Sequence, residues 1–294
     1  MRTDLRKKLR RERWINFSSI AIILTCVFML YPIVYSIFLS LHSHKGLTST
    51  FVGPNNFVRL VKDTIFWQSL GNSFIFLIIQ VPIMLVLGLL LAYLLQSDYI
   101  KGKGFFRMAL FLPCVTSLVA YSIVFKALFQ VDGLINNCLL ALHIIQAPIH
   151  WLTDAFWAKA AIIIALCWRW TGYNTMFYIA GMQNIPRDTL EAARIDGANR
   201  FQEFFRVVVP QLKSMIVFTS ITSTIGTIQL FDEVMNLTQG GPSNGTMTVS
   251  MYIYNHSFKY SSNFGYSAAM SWVVVLIIAV LSLIQLRVTR DKEG

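Results

Sequence analysis

The chain has 294 residues, of which 55% are hydrophobic and only 13% are charged, and its formal net charge is +11. Soluble domains carry about 25% charged residues, so the composition excludes an ordinary soluble protein and predicts an integral membrane protein. The four cysteines lie far apart without a C-x-x-C spacing, which argues against a disulfide framework. His42 and His44 form an H-x-H pair without further ligands nearby, so no metal site is predicted.

Six segments have the length of about 20 mainly apolar residues that a membrane-spanning helix requires. The first is too long for the apolar region of a cleavable signal peptide, so we expect it to remain in the protein. The predicted fold is all-α, with six transmembrane helices. The six segments are Ser18–Leu41, Gly71–Leu95, Met108–Phe129, Ala160–Met182, Leu212–Val234 and Ala268–Leu286.

The Lys and Arg residues are unevenly distributed between the two sides of these segments. When the N-terminus is placed in the cytoplasm, 18 of the 25 basic residues fall on inner segments, which include an arm of residues 1–17 and a tail of residues 287–294. Because cytoplasmic loops carry the excess of Lys and Arg, both termini are predicted to be cytoplasmic. The basic arm is interpreted as a topology signal that contacts membrane lipid rather than nucleic acid.

The fourth segment contains the polar string CWRWTGYNTMFYIAGMQNIP. An arginine at membrane depth costs roughly 2.5–3.5 kcal/mol on insertion scales, so Arg169 is expected to face a cavity or a partner. Aromatic rings that stack on sugar faces, with polar groups such as Tyr173 and Asn174 that bond hydroxyls, would explain this mixture. The alternative is helix packing, with Arg169 paired to Asp232 or Glu233.

The fifth segment is unusually polar for a membrane helix, with the string FTSITSTIGTIQLFDEV. Small and hydroxyl residues recur at three- or four-residue spacing and share one face, which indicates either helix packing or the lining of a pathway. We favour a pathway that Gln229 and Asp232 border, because neither side chain can face lipid cheaply. The residues on this face are Thr219, Ser223, Gly226 and either Leu230 or Gln229.

A polar stretch, IPRDTLEAARIDGANRFQEFFRVVVP, separates the fourth and fifth segments. Pro186 ends the preceding helix, and the spacing of Asp188 and Glu191 predicts a capping box at the start of a new helix. Gly197 suits the left-handed residue that ends a helix. Ordinary interfacial capping, with Glu191 as a cap, is the alternative to a docking role. A second amphipathic turn is predicted to place four apolar residues on one side, namely Phe201, Phe204, Phe205 and Val208.

This stretch resembles the EAA motif of ABC-importer permeases, and the string EAARIDGA resembles the binding-protein-dependent sugar permeases of the maltose-transporter family. The resemblance implies a cytoplasmic coupling helix at about residues 187–207 that lies in a cleft of an ATPase subunit. Val207 and Val209 fill the family's apolar positions before Pro210, a mild departure. The residues implied to couple to the ATPase are Glu191, Ala192, Ala193, Asp196, Gly197 and Ala198.

Other parts of the chain also resemble this family. They are FVGPNNFVRLVKD before the second segment, Trp168–Asn174, and the stretch from LTQGGPSNGTMTVSMYIY to FGYSAAMS. The resemblance implies a transport core at residues 68–286 with the helix at 18–41 as an addition. It also implies an outer loop at Gly240, Gly241 and Pro242 that faces a binding protein.

No G-x-x-x-x-G-K-[ST] motif occurs in the chain, so any ATP must be hydrolysed by another subunit. The resemblance implies two ATPase subunits that hold ATP and Mg, a second homologous permease, and an extracytoplasmic sugar-binding protein at a bacterial or archaeal cell membrane. The tail RVTRDKEG lacks the extended ending of the partner-type permease, which favours a heterodimer. The chain itself is expected to be a transport subunit that binds no cofactor and is not an enzyme.

Two other classes of function are weighed against this one. A secondary transporter without an ATPase would need ion-coupling carboxylates in repeated halves, and no convincing repeat is found. A membrane enzyme would need a catalytic constellation, and none stands out. Sugar, polyol and sugar phosphate permeases look alike at this level, so the residues leave the substrate open.

Overall fold

A computed structural model describes residues 19–45, 48–97, 99–260 and 262–290. The predicted basic arm at 1–17, the first residue of the predicted helix at 18–41, and the tail beyond residue 290 lie outside the described residues. The described chain is mostly helical, as predicted, and divides into two compact units. Of the described residues, one unit contains those up to 63 together with 253–274, and the other contains 64–252 together with those from 275 onward.

The first unit is built around one long helix and a short hairpin. Helix α1 covers Ser19–Ser40 and includes a π-helical turn at Cys26–Leu30. Strands β1 (His42–Lys45) and β2 (Thr48–Phe51) pair antiparallel, and α2 covers Asn55–Val61. Asn56 is buried and its amide donates to the carbonyls of Ser40 and His42 at 2.8 and 2.9 Å, which fixes the hairpin against the end of α1.

The remaining helices up to residue 252 lie in the second unit, and the last two helices each contribute to both units. In chain order they are α3 (Thr64–Gln96), α4 (Lys103–Val115), α5 (Leu118–Leu128), α6 (Leu134–Ala141), α7 (Ala155–Met182), α8 (Arg187–Ile195), α9 (Arg200–Gln211), α10 (Lys213–Ile228), α11 (Asp232–Leu237), α12 (Val249–Tyr254) and α13 (Phe264–Arg290). Helix α9 includes a π-helical turn at Phe204–Val208, and another follows α12 at Asn255–Lys259. Helix α13 begins in the first unit and ends in the second.

Three of the described helices are long and apolar enough to cross a membrane: α1, α3 and α13. Two bent pairs pass the same test together, α4 with α5 at 98° and α9 with α10 at 72°. The predicted third segment is therefore wrong as one continuous helix. The chain leaves the helical conformation at Thr116 and Ser117, whose backbones are extended, three residues after Pro113.

The fifth predicted segment is also interrupted. Helix α10 ends at Ile228, and α11 starts only at Asp232. The fourth segment corresponds to α7, one unbroken helix of 28 residues that starts earlier than predicted because Asp154 caps it. The Asp154 carboxylate accepts from the backbone N–H groups of Phe156 and Trp157 at 2.9 and 3.0 Å.

Helices α3, α4, α7 and α10 pack together through small residues and buried polar pairs. A Cβ atom at Gly172 of α7 would lie 1.7 Å from the Leu110 carbonyl oxygen of α4, so only glycine permits this approach. Tyr178 of α7 and Thr219 of α10 share a hydrogen bond of 2.7 Å between their hydroxyls. Tyr178 also belongs to an apolar cluster of buried residues. The cluster is formed by Leu89, Ala92, Leu95, Tyr178, Ile179, Met182, Ile185, Phe204, Val208 and Leu212.

Candidate coupling surface and translocation pathway

Residues 187–211, here named the coupling segment, form two short helices. Helix α8 starts at Arg187 with Pro186 at the N-cap position, and no side chain caps its first turn. The predicted capping box at Asp188 and Glu191 is therefore wrong, because Pro186 occupies the cap and both residues lie inside the helix. A capping box occurs instead at the start of α9, where Asn199 and Gln202 bond each other's backbone N–H groups at 2.9 Å.

Gly197 ends α8 as predicted. Its φ angle is +80°, in the left-handed region that favours glycine. The N–H of Ala198 donates to the Ala193 carbonyl at 3.0 Å, and the N–H of Gly197 donates to the Arg194 carbonyl at 3.1 Å. These two bonds form a Schellman motif. No atom lies within 4 Å of the position of an added Cβ, so the backbone conformation alone selects glycine here.

One side of the coupling segment is exposed and partly apolar. Helix α8 contains no buried residue, Ile195 is 85% exposed and Phe201 is 71% exposed. Phe204 and Val208 are buried instead, so the prediction that four apolar residues share one side is wrong. The π-helical turn at Phe204–Val208 changes the angle between successive side chains around the helix axis, so the α-helical spacing used for the prediction does not apply there. Of the predicted coupling residues, four are exposed (Glu191, Ala192, Asp196, Gly197) and two are partly exposed (Ala193, Ala198).

An ion pair that the sequence did not indicate joins the two helices. The Arg194 Nε and Nη2 atoms lie 2.8 and 3.2 Å from the two carboxylate oxygens of Glu203. Glu203 is only 4% exposed. The hydrogen bond from Arg194 holds the pKa of the Glu203 carboxyl below its usual range, although burial opposes the shift.

Arg169 is buried on α7 and binds the break between α4 and α5. Its Nη1 atom donates to the carbonyls of Pro113 and Thr116 at 3.3 and 3.1 Å, and its Nη2 atom donates to the Cys114 carbonyl at 3.2 Å. The alternative predicted for Arg169 was a direct ion pair with Asp232 or Glu233. That partner is wrong, because the guanidinium donates to backbone carbonyls instead. Glu233 of α11 is buried within electrostatic range of Arg169.

The other predicted pathway residues fall into two environments. Tyr173 is half-buried between the rings of Trp170 and Phe177. Asn174 is buried, and its amide donates to the Trp170 carbonyl at 3.2 Å while its Oδ1 atom has no partner. Gln229 and Asp232 are exposed, in the break between α10 and α11.

The predicted stripe on the fifth segment does not form one surface. Thr219 is buried and bonds Tyr178, Ser223 is partly buried, and Gly226 is exposed. Packing therefore explains the first member of the stripe.

Polar residues that the sequence analysis missed also connect the helices. Gln80 of α3 is buried, and its Oε1 atom accepts from the Thr227 hydroxyl at 2.9 Å. Gln285 of α13 donates to the hydroxyls of Ser220 and Thr224 at 3.1 and 2.8 Å. In each case the sequence signal for such a contact was a glutamine within an otherwise apolar segment. The Gln285 contacts border a mainly apolar cavity of about 410 Å³ between α3, α10 and α13.

The loop after α11 contains the predicted turn. Gly240 is buried, Gly241 and Pro242 are partly buried, and the Gly241–Pro242 peptide bond is cis. The amide of Asn72, on α3, donates to the carbonyls of Asn244 and Met247, at 3.0 Å each. Hydrogen bonds from Asn72 to backbone carbonyls of the loop therefore hold the loop against α3. Within the described ranges, no three His, Cys, Asp or Glu side chains come together as a metal site.

Long apolar helices with polar side chains buried between them are features of a helical membrane protein. Residues 65–293 match the family model described as "Binding-protein-dependent transport system inner membrane component". The chain belongs to this family. It is thus a permease of the ABC sugar-transporter type, whose ATPase is a separate subunit, and it is not an enzyme. Family membership also decides against a secondary transporter.

The relatives include full-length sugar permeases. The chain is 51% identical over 298 residues to the lactose transport system permease protein LacF of Rhizobium radiobacter, with 100% of each chain covered. It is 33% identical to the arabinooligosaccharides transport system permease protein AraP of Bacillus subtilis, covering 91% of this chain and 85% of that one.

The fold is similar to a chain of a solved bacterial ABC transporter involved in the import of alginate. The TM-score is 0.83 at 20% identity, over 98% of this chain and 99% of that chain. A second structure of an alginate transporter, in complex with a periplasmic protein that holds an alginate pentasaccharide, gives a TM-score of 0.82 at 20% identity, over 97% and 96% of the two chains.

Proposed function

We propose that this chain is one of two permease subunits of an importer that carries a small oligosaccharide, with lactose as the first substrate to test. The proposal rests on the 51% identity to a lactose permease over the full length of both chains. The arabinooligosaccharide relative supports the same size class of substrate. The second permease, the two ATPase subunits with their ATP and Mg, and an extracytoplasmic binding protein complete the proposed complex.

The exposed face of the coupling segment is the proposed ATPase-docking surface, and its exposed apolar side chains support this part of the proposal. Ile195 and Phe201 expose apolar side chains beside arginines, which a cleft of a partner subunit would cover. The small side chains of Ala192 and Ala193 let a partner approach the backbone of α8. Glu191 is exposed and caps nothing, so its carboxylate is available to an arginine of the partner.

The proposed topology has six spans. They are α1, α3, the bent pair α4–α5, α7, α10 and α13. Helix α7 is included because 28 residues at 1.5 Å each reach about 42 Å, which exceeds the hydrocarbon core of a bilayer. Both termini and the coupling segment would lie in the cytoplasm. The core at residues 68–286 would form half of the pathway, and the helix at 18–41 would be an addition to it.

The proposed pathway passes the meeting point of α7 with the break after α10. Tyr173 and Asn174 would contact the sugar from α7, and Gln229 and Asp232 from the break. The free Oδ1 atom of Asn174 supports this assignment, because a buried acceptor without a partner suits a hydroxyl ligand. Arg169 would border the pathway through the α4–α5 break that it holds. The loop with Gly240, Gly241 and Pro242 would face the binding protein.

Transport by the reconstituted complex tests this function. The permease pair, the ATPases and the binding protein are placed in vesicles, and uptake of labelled lactose is measured with ATP or ADP inside. We expect uptake with ATP only. Lactose uptake that an ion gradient drives without ATP would overturn the proposal. ATP-dependent uptake of a polyol or sugar phosphate, with none of lactose or other small oligosaccharides, would overturn the substrate assignment alone.

A further inference from the structure

The ion pair of the coupling segment joins two helices across a turn. Arg194 lies in the last turn of α8 and Glu203 in the first turn of α9, so each charge is favourable for the dipole of its own helix. Between them the chain reverses at Gly197. The two contacts of 2.8 and 3.2 Å use both carboxylate oxygens, which fixes direction as well as distance. The pair therefore sets the angle between α8 and α9.

A tyrosine connects the same carboxylate to the long helix α3. The Tyr93 hydroxyl lies 3.4 Å from Glu203 Oε1 and 3.2 Å from the Arg200 carbonyl oxygen. The Tyr93 ring also packs on Phe204, with 4.9 Å between the ring centroids. Glu203 thus contacts all three elements: α8 through Arg194, its own helix α9, and the last turn of α3 through Tyr93.

The burial of the two charged partners is unequal. Glu203 has 5% of its side chain exposed, whereas the Arg194 side chain is 61% exposed. A buried carboxylate that loses its partner keeps its desolvation cost without compensation. The arginine is replaceable by solvent, but the carboxylate depends on its partners. Glu203 is thus the central residue of this contact, and Arg194 is its connection to the exposed helix.

We propose that Glu203 is a positioning residue that transmits movement of the docked helix α8 to the membrane helix α3. This inference rests on the proposed function, because it assumes that α8 docks on the ATPase. A push on the exposed side of α8 would reach α3 through Arg194, Glu203 and Tyr93. Without the ion pair, α8 can rotate about Gly197 while α9 stays packed through Phe204 and Val208. ATP hydrolysis would then continue without a corresponding movement of α3.

The test measures sugar imported per ATP hydrolysed in the full reconstituted complex. The variants are Glu203→Gln, Arg194→Ala and Arg194→Lys, with Asp132→Asn as the control that removes an exposed carboxylate elsewhere. A hydrogen bond to a charged group is strong enough to shift an equilibrium about ten-fold. We therefore expect imported sugar per ATP to fall about ten-fold for Glu203→Gln and Arg194→Ala. Arg194→Lys should recover part of the loss, and the control should match the wild type.

The amount of assembled complex separates coupling from folding. A fall in assembly and uptake together, with sugar per ATP unchanged, would make Glu203 a folding contact and overturn the inference. If Glu203→Gln fails to assemble, Tyr93→Phe decides, because it removes one hydroxyl at constant shape. In this variant, the amount of sugar imported per ATP hydrolysed should fall several-fold if the inference is right and stay unchanged if it is wrong. A wild-type complex without ATP-dependent uptake would instead contradict the proposed function.

Discussion

At the scale of single residues, Arg169 shows how a charge can be buried in a membrane helix without a carboxylate at hydrogen-bond distance. Its guanidinium donates to three carbonyls at the break between α4 and α5, where the helical hydrogen bonds are interrupted. The arginine therefore supplies hydrogen-bond donors to backbone carbonyls at this break, as a further turn of helix would have done. A lysine has the charge but not the planar fork, so it reaches fewer of the three acceptors.

We predict that Arg169→Ala destabilises the complex by about 1.5–3 kcal/mol, because the partly buried carbonyls of Cys114 and Thr116 lose their guanidinium donor. Thermal unfolding of the purified complex should shift down by several degrees, and Arg169→Lys should fall in between. Lys159→Ala on the same helix is the control. If Glu233→Gln is as damaging as Arg169→Ala while Arg169→Lys is harmless, the charge pair matters and the carbonyl contacts do not.

Gly197 gives the second prediction at this scale. Gly197→Ala meets no steric obstacle, so it costs only the left-handed conformation, about 1–2 kcal/mol. Gly197→Pro fixes φ near −65° and removes the N–H that donates to Arg194, so the Schellman motif cannot form. We expect Gly197→Ala to keep most uptake and Gly197→Pro to abolish it with normal membrane insertion. Wild-type uptake by the proline variant would show that the turn is not required.

At the scale of elements, buried hydrogen bonds between helices decide how α3, α7 and α10 pack. The Tyr178 and Thr219 hydroxyls bond at 2.7 Å inside the apolar cluster. Interhelical polar contacts in membrane proteins average about 0.6 kcal/mol and reach about 1.7. Both hydroxyls can be removed with little change of shape, by Tyr178→Phe and Thr219→Val, so the contact is suited to a double-mutant cycle.

We predict a coupling energy of about 0.6–1.7 kcal/mol between Tyr178 and Thr219, measured by denaturant unfolding of the permease in mixed micelles. Each single variant should lose stability, and the double variant should lose less than the sum. Additive losses would mean that the two hydroxyls do not stabilise each other. The pair Gln80–Thr227, which joins α3 to α10 at 2.9 Å, provides an independent cycle of the same kind.

Sequence patterns predicted the helices of this fold better than their interruptions. Length and hydropathy located α1, α3 and α13, because a bilayer imposes both on a spanning helix. The break at Thr116 depends on a donor that arrives from α7, about fifty residues later in the chain, and no local pattern contains it. The capping box was predicted at Asp188 from residue spacing alone, but Pro186 occupies the N-cap position and Asp188 lies inside the helix.

The candidate site was predictable to a similar extent. The string EAARIDGA located α8 and the glycine that ends it, since both depend on local backbone preferences. The Arg194–Glu203 pair and its tyrosine were not predicted, because Tyr93 is distant in the chain and meets Glu203 only when α3 and α9 pack. The residues proposed for the pathway, Gln229 and Asp232, lie at the two ends of a helix break that the continuous polar string concealed.

At the scale of the whole molecule, the orientation in the membrane is proposed from the distribution of basic residues. The topology proposal places the β1–β2 hairpin and the loop after α11 outside, and the turn between α3 and α4 inside. Exposed residues report on each of these places: Ser49 on β2, Ser243 in the loop and Lys101 in the turn. Two native cysteines, Cys26 and Cys138, are exposed and must be replaced before labelling.

We predict that Ser49→Cys and Ser243→Cys, in a background without native cysteines, react with an impermeant thiol reagent added to intact cells, and that Lys101→Cys reacts only after the membrane is opened. The excess of Lys and Arg on one side of the spans is the physical reason, because cytoplasmic loops retain positive charge. Restoring Cys138 alone supplies a further outer reporter on α6. Labelling of Lys101→Cys in intact cells, with Ser49→Cys and Ser243→Cys protected, would reverse the topology. The coupling segment would then face away from any cytoplasmic ATPase, and its docking role would have to be abandoned together with the orientation.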